Sequence, residues 1–402
     1  MGLFPAPALP STKFVPAYEL AINGTDVPTS LKSSLMSISF ESGINTADRV
    51  EVVVANPGLE WLQSHINGLG FLPFPTNVRI GPIQTPNFTG TGPFDMGNTL
   101  SLSIGYADQT MLTSVFEGDI TGLEANLPSD EMPTLTIVAH NRLYRLAQGS
   151  YGRGFGPLPD ALIAAILSAE NLLLPMIDPA VATASTAIAV VNVIFNGTGR
   201  KQKAQTDLEL LREIARAYDA DFWVEGSTLY LSRFLKEYTP SVTLTCGESL
   251  LEFSPKISTV GNVFGVGVKF TLREIPLSFM VTVSWNLDTQ SLAINVIPGA
   301  SAAYLKSLVG PIVSVINRPI SSPADIINSA LFITRKLRDM INNRLTAKVA
   351  AVGDPALVAN SLVQFNGIGP DFSGNYRIMN AHHLIDANGY RTNFKCRKEI
   401  LP

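Results

Sequence analysis

The chain has 402 residues, a formal net charge of -4, 46% hydrophobic and 15% charged residues, and two cysteines. That length exceeds one ordinary core and suits two or three domains, and so low a charge density points to a folded surface that partners cover. The mildly acidic balance excludes a general electrostatic attraction to nucleic acid or an anionic membrane, and Met1–Pro16, with four prolines and no basic stretch before an apolar run, is not a signal peptide.

Residues 17–146 read as β. Met36, Ile38 and Phe40 alternate, as do Leu100, Leu102, Ile104 and Tyr106, and then Leu135, Ile137 and Ala139. Period-two alternation is what a sheet with one buried face requires. Val50–Val54 is a further strand, and Gly105–Thr110 and Asn126–Asp130 supply turn material. Between them, 67–97 is crowded with Pro73, Pro75, Pro82, Pro86 and Pro93. It reads as a long insertion, either ordered by a partner or a passive surface loop.

Pro159-Asp160 opens an apolar helix running to about Leu174. The uncharged run Pro179–Phe195 is too short for a membrane span of about 20 residues and is expected to be a buried strand or an interface segment. Thr206 and Glu209 form the reciprocal pair of a capping box, and Leu208, Leu211, Ala215 and Tyr218 line one face of the helix that follows. After Asp219–Asp221, the residues Phe222–Val224, Glu225-Gly226 and Thr228–Leu231 read as a tight hairpin.

Strands return at Leu250–Ile257, Val263–Thr271 and Ser278–Trp285. Ser322, Pro323 and Asp325 start a helix with the stripe Ile326, Ala330, Ile333, Leu337 and Met340, ending near Arg344. Strands then resume at Leu345–Val352, Leu357–Phe365, Asn375–Ala381 and Tyr390–Lys395. Asn388-Gly389 is the hairpin turn expected to set the register of the last of these, within the second β domain. The predicted fold class is mainly β with α insertions (α+β): two tube-like antiparallel β-barrel domains flanking a small helix-hairpin module. The predicted boundaries are 1–156 with the 67–97 insertion, 157–239, and 240–402 with a helical insertion at about 322–344.

Catalytic constellations are missing. Gly197–Lys201 lacks the spacing of a phosphate-cradling loop, and Gly152–Gly156 follows no clear strand. No nucleophile elbow or zinc-protease helix occurs. His382 and His383 are adjacent in a strand and face opposite sides, one structural and one exposed. The carboxylate pairs Glu117/Asp119 and Asp130/Glu131 read as solvated edges. Cys246 and Cys396 read as buried or half-buried free thiols. No catalytic residue, cofactor or metal is assigned.

Three stretches carry a resemblance: Val115–Ile120 with Pro133–His140 and Leu143–Leu146; Thr206–Ala215 with Phe222–Val224 and Leu229–Leu231; and Phe372–Ile378 with Ala381-His382, Asp386 and Gly389–Thr392. In this order they resemble the late control protein D family of contractile phage tails, whose architecture also forms the base of the type VI secretion spike protein. Gly118, Thr206, Asp207, Gly374, Tyr376, His382, Asp386, Gly389 and Tyr390 are the structural motif positions. The resemblance implies a homotrimeric baseplate hub with pseudo-sixfold barrels, joining a sixfold tail tube or tube-initiator protein to a trimeric spike, and touching baseplate wedge proteins. It implies no stable nucleic acid and no membrane insertion. It also implies assembly in the bacterial cytoplasm and a place in the baseplate of a virion or phage-tail-like particle. Relatives continue into further spike domains whereas this sequence stops at Pro402, so the spike is expected on a separate chain. Segments 176–200 and 286–320 are long for the family and have no assigned role. The competing readings are a baseplate-associated peptidoglycan hydrolase and a host-surface carbohydrate-binding protein. The second needs an exposed aromatic platform, and Trp61, Trp223 and Trp285 are scattered among apolar neighbours.

Overall fold

The computed structural model describes residues 15–57, 94, 96–194, 199–233, 235, 238–257, 265–272, 278–286, 291–298, 315–320, 333, 338–339 and 341–399. Most of the 67–97 insertion, Trp61 and most of the 322–344 helix lie outside these residues; of the predicted helix stripe, Ile333 is described and buried.

The N-terminal part contains β1 (Pro16–Ile22), β2 (Thr25–Asp26), α1 (Thr29–Ser34), β3 (Leu35–Gly43), β4 (Arg49–Ala55), β5 (Thr99–Tyr106), β6 (Thr113–Asn126) and β7 (Thr134–Asn141). The predicted alternations bury Val50, Val52 and Val54, all four apolar positions of β5, and Leu135, Ile137 and Ala139 in one core. Met36 departs from the pattern and is 50% exposed. The register shifts between Leu35 and Ser37, so Met36 is an extra residue that the pleat cannot turn inward.

The middle part holds β8 (Tyr151–Gly154), α2 (Asp160–Glu170), β9 (Leu174–Ile177), α3 (Pro179–Ile194), β10 (Lys201–Gln205), α4 (Asp207–Ala217), β11 (Asp221–Glu225) and β12 (Thr228–Ser232). It closes on a second core of its own. Helix α2 stops at Glu170, short of Leu174, because Leu172 takes a left-handed φ of 59° and Leu174 enters a strand parallel to β12. The run expected as a strand at Pro179–Phe195 is helical from Pro179 to Ile194. Its alanines favour a helix, Pro179 suits the first turn, and Asp178 Oδ1 accepts from the Ala180 amide at 2.7 Å. The capping box of α4 forms as the spacing predicts: Thr206 Oγ1 accepts from Glu209 N at 3.1 Å and Glu209 Oε2 accepts from Thr206 N at 2.9 Å. Leu208, Leu211, Ala215 and Tyr218 are buried, and β11 and β12 form the expected hairpin.

The C-terminal part contains β13 (Val242–Thr245), β14 (Leu250–Ile257), β15 (Gly265–Leu272), β16 (Ser278–Asn286), β17 (Ser291–Pro298), β18 (Val315–Ile320), β19 (Leu345–Val352), β20 (Leu362–Asn366), β21 (Gly374–Asp386) and β22 (Gly389–Lys398). Strands β15–β18 make a separate sheet in the order β17-β16-β15-β18. The strand expected from Leu357 begins only at Leu362. Ahead of it the chain turns, with Asp354 Oδ1 accepting from Ala356 N at 3.0 Å and Asn360 at a φ of 70°. A third core gathers Tyr376, Phe365, Phe394 and Cys396.

The fold is mainly β with helical insertions. The strands of the first and third cores do not stay apart, however. Strand β21 pairs with β3 from Asn380↔Gly43 to Ile385↔Ile38, which joins both into one 13-stranded sheet along the path β14-β19-β22-β21-β3-β4-β7-β6-β5-β1-β2. Among the described residues that path is open, where two closed barrels were expected.

The β21–β22 hairpin spans the junction. Its base belongs to the third core, but Ile385 and Tyr390 at its tip are buried in the first. Its turn is also not the one anticipated. Asp386 pairs with Gly389, so Ala387-Asn388 form the loop, Asp386 Oδ1 accepts from Asn388 N at 2.7 Å, and Gly389 alone of the Asn-Gly pair has positive φ, at 110°. A two-residue turn with both centres left-handed is therefore replaced by one that needs glycine only at its exit.

His383 is 1% exposed beside this tip. Its Nε2 donates to Leu357 O at 3.1 Å, so Nδ1 is left to accept from Tyr390 OH at 2.8 Å. Burial pushes its pKa down to about 4. A base depressed on folding contributes stability that is present above its unfolded value and lost as pH falls through the folded one. Urea unfolding is therefore expected to show stability falling as pH drops from about 6.5 towards 4. A His383→Gln chain should lose that component of the slope; an unchanged slope would remove His383 as its source.

Candidate functional site

No described group of three His, Cys, Asp or Glu side chains could hold a metal. Among the described residues, one polar cluster lies where the three cores meet. The β3–β4 turn offers Asn45, held at a φ of 60°. Its Nδ2 donates to Asp221 Oδ1 at 2.8 Å, and its Oδ1 accepts from Phe222 N at 2.7 Å. Arg212 of α4 donates to the Asn45 carbonyl at 3.2 Å. From the third core, Arg377 of β21 donates to Asp221 Oδ2 at 2.7 Å and to Asn360 Oδ1 at 2.6 Å. Asp221 thus ties together one side chain from each of two other units.

Burial by itself would raise the Asp221 carboxyl, but Arg377 and the Asn45 amide outweigh it and hold the group below the usual carboxylate range. Nearby Asp219, 5% exposed, behaves oppositely. Burial, helped by Asp339 and Asp221, pushes it up to about 6 against the pull of Arg338, whose Nη2 lies 3.0 Å away. Arg397 adds contacts to Glu399 at 3.2 Å and Asp339 at 3.7 Å. The cluster contains no nucleophile poised against a base. What it can do is fix the angle between three packed units, because charge-assisted guanidinium and paired amide hydrogen bonds are directional where apolar burial is not.

The motif positions lie apart from this joint, in separate places. Gly118 leaves no room for a side chain, since a Cβ would collide with the His140 carbonyl and the Phe116 ring. Thr206 caps α4, and Asp207, 3% exposed, binds Arg153 at 3.0 Å and Gln202 at 2.9 Å. Gly374 starts β21 at a φ of 127°, and Tyr376 donates to Phe372 O at 2.7 Å within a cluster with Phe253 and Phe365. His382 is half-buried against Ser39 Oγ at 2.9 Å. Asp386, Gly389 and Tyr390 form the hairpin tip described above.

Two sequence readings are corrected here. Asp119 is not solvated: it is 3% exposed and binds Arg145 at 2.6 Å, while Glu117 remains exposed and pairs with Arg142. Cys246 is exposed and Cys396 buried, both as free thiols. Gly152 and Gly154 sit inside β8, paired to β10, and do not follow a strand.

The whole-chain arrangement can be compared with solved structures. The chain is similar to the 43 kDa tail protein of prophage MuSo2 from Shewanella oneidensis, with a TM-score of 0.59 and 12% identity over 96% of this chain and 99% of that one. It is also similar to the tail protein from Neisseria meningitidis MC58, with a TM-score of 0.55 and 11% identity over 96% and 97% of the two chains. The chain has the fold of these phage tail proteins. No protein-family model matches it, and no curated protein matches its sequence.

Proposed function

We propose that the chain is a structural hub of a contractile tail or injection particle, built as a homotrimer of three-unit subunits divided near residues 156 and 239. The observation that carries this reading is the open 13-stranded sheet. Among the described residues its end strands are β14, which pairs with β19, and the two-residue β2, which pairs with β1. Unpaired edges at opposite ends of one sheet invite association, and an edge-to-edge contact between unlike edges closes a ring when the rotation allows. Each subunit would place two β units in that ring, giving six in all. That number fits a sixfold tube on one side and a threefold spike on the other. The tube or tube-initiator, the spike and the wedge proteins are the partners this reading assigns, at the baseplate of the particle.

Exposed apolar surface supports coverage by neighbours. Leu251 and Ile257 on β14 are 62% and 50% exposed. Helix α3 carries no charged residue and exposes Val190, Val193 and Ile194 on one face. Light scattering of the purified chain is expected to give three times the subunit mass, with an interface on the order of 2,000–5,000 Å². A Leu251→Lys/Ile257→Lys chain should run as a monomer with an unchanged circular dichroism spectrum. A wild-type monomer at micromolar concentration would sink the ring, and an intact trimer of the lysine variant would move the contact away from β14.

A further inference from the structure

The three-stranded sheet of β11, β12 and β9 is apolar on both faces. Phe222, Val224, Leu229 and Leu231 belong to the second core. The alternate residues make a row on the opposite face, because Trp223 pairs with Tyr230 and Tyr230 with Met176. The Trp223 and Tyr230 rings are half-buried and stack with centroids 5.3 Å apart and planes at 6°. Met176 and, on the same face, Leu174 are 57% and 66% exposed. Contiguous aromatic and apolar surface of this kind marks a docking site.

The chain itself carries a segment of matching chemistry. Residues 1–14, outside the described structure, contain Pro5, Pro7 and Pro10 among Leu3, Phe4 and Leu9, with Lys13 as the single charged side chain. Prolines at this density favour the polyproline II helix, in which every third residue shares a face. Phe4, Pro7 and Pro10 then line up. Such segments dock on aromatic surfaces, and their preset backbone lowers the entropy lost on docking. The path is short. Tyr18 pairs with Ile104 and Ile104 with Thr113, so the start of β1 is two strand spacings, about 10 Å, from Thr113. Thr113 and Trp223 line the same cavity, and residues 1–14 as polyproline II would span about 40 Å.

We infer that residues 3–10 dock on the Trp223–Tyr230–Met176 face of their own subunit, with Phe4, Pro7 and Pro10 against the apolar row. Docking within one subunit does not depend on the ring proposed above.

The test places p-benzoylphenylalanine at Phe4 of the full chain, keeping an aromatic ring there, and maps the photocrosslinks by mass spectrometry. Crosslinks to β9 or to the β11–β12 hairpin are expected, with the product at the mass of one chain on a denaturing gel. Trp223→Ala and, separately, Met176→Asp should each lose most of that crosslink. Neither side chain belongs to the second core, so both variants should keep the wild-type circular dichroism spectrum. Pro7→Ser/Pro10→Ser, which changes no described residue, should lose the crosslink as well. Crosslinks confined to other surfaces, a product at the mass of two chains, no crosslink, or a yield unchanged in all three variants would each overturn the inference.

Discussion

An Arg377→Met chain is expected to unfold about 3–5 kcal/mol more easily than the wild type, the range typical of breaking a buried ion pair by removing one partner. The Arg377 side chain is 4% exposed and that of Asp221 20%, so water cannot replace the lost guanidinium well. Asp221 would keep Asn45 but lose its counter-charge, and Asn360 Oδ1 would lose both of its donors. Methionine matches the length of the stem and fills the space, which separates the charge effect from a cavity. Urea unfolding of the single variants and of Arg377→Met/Asp221→Leu measures the coupling. The double variant should recover part of the loss, because two apolar groups need no partners. A single-variant loss below about 1 kcal/mol, the level of an exposed pair, would show that the joint does not hold the units together.

Tyr390→Ala should cost a similar amount, about 3–5 kcal/mol for truncating a buried aromatic ring, and its reach is the more informative result. Tyr390 lies on a C-terminal strand, yet its ring is 5.8 Å from that of Tyr106 in the first core, and its hydroxyl donates to His383. A Cβ on Gly353 would collide with the Tyr390 ring, so the two are in close contact. Hydrogen exchange should therefore show β3, β4, β19 and β22 losing protection together. If only the C-terminal strands exchange faster, the hairpin tip is not shared between the cores.

Much of the local structure was legible in the sequence. The alternation in β4, β5 and β7, the capping box at Thr206 and the hairpin after Asp221 each depend on residues within a few positions of one another. Local errors had local causes. The apolarity of Pro179–Phe195 suits a buried strand as well as a helix, and Asp178, Pro179 and the alanines are what start and sustain the helix. Met36 followed the periodicity of its neighbours, but a one-residue bulge is not visible to a pattern of period two.

The sequence by itself determined the β-rich class, the helix-hairpin module and the buried faces of most individual strands, because backbone propensity, capping and side-chain periodicity act over short separations. Only the tertiary structure decided that β21 joins β3 into one open sheet, that the tip of the last hairpin belongs to the first core, and that Asn45, Asp221 and Arg377 meet. Arg377 and Asn45 stand 332 positions apart in the chain. Each by itself is an ordinary polar residue, and only the fold that buries them together gives their pairing energetic weight.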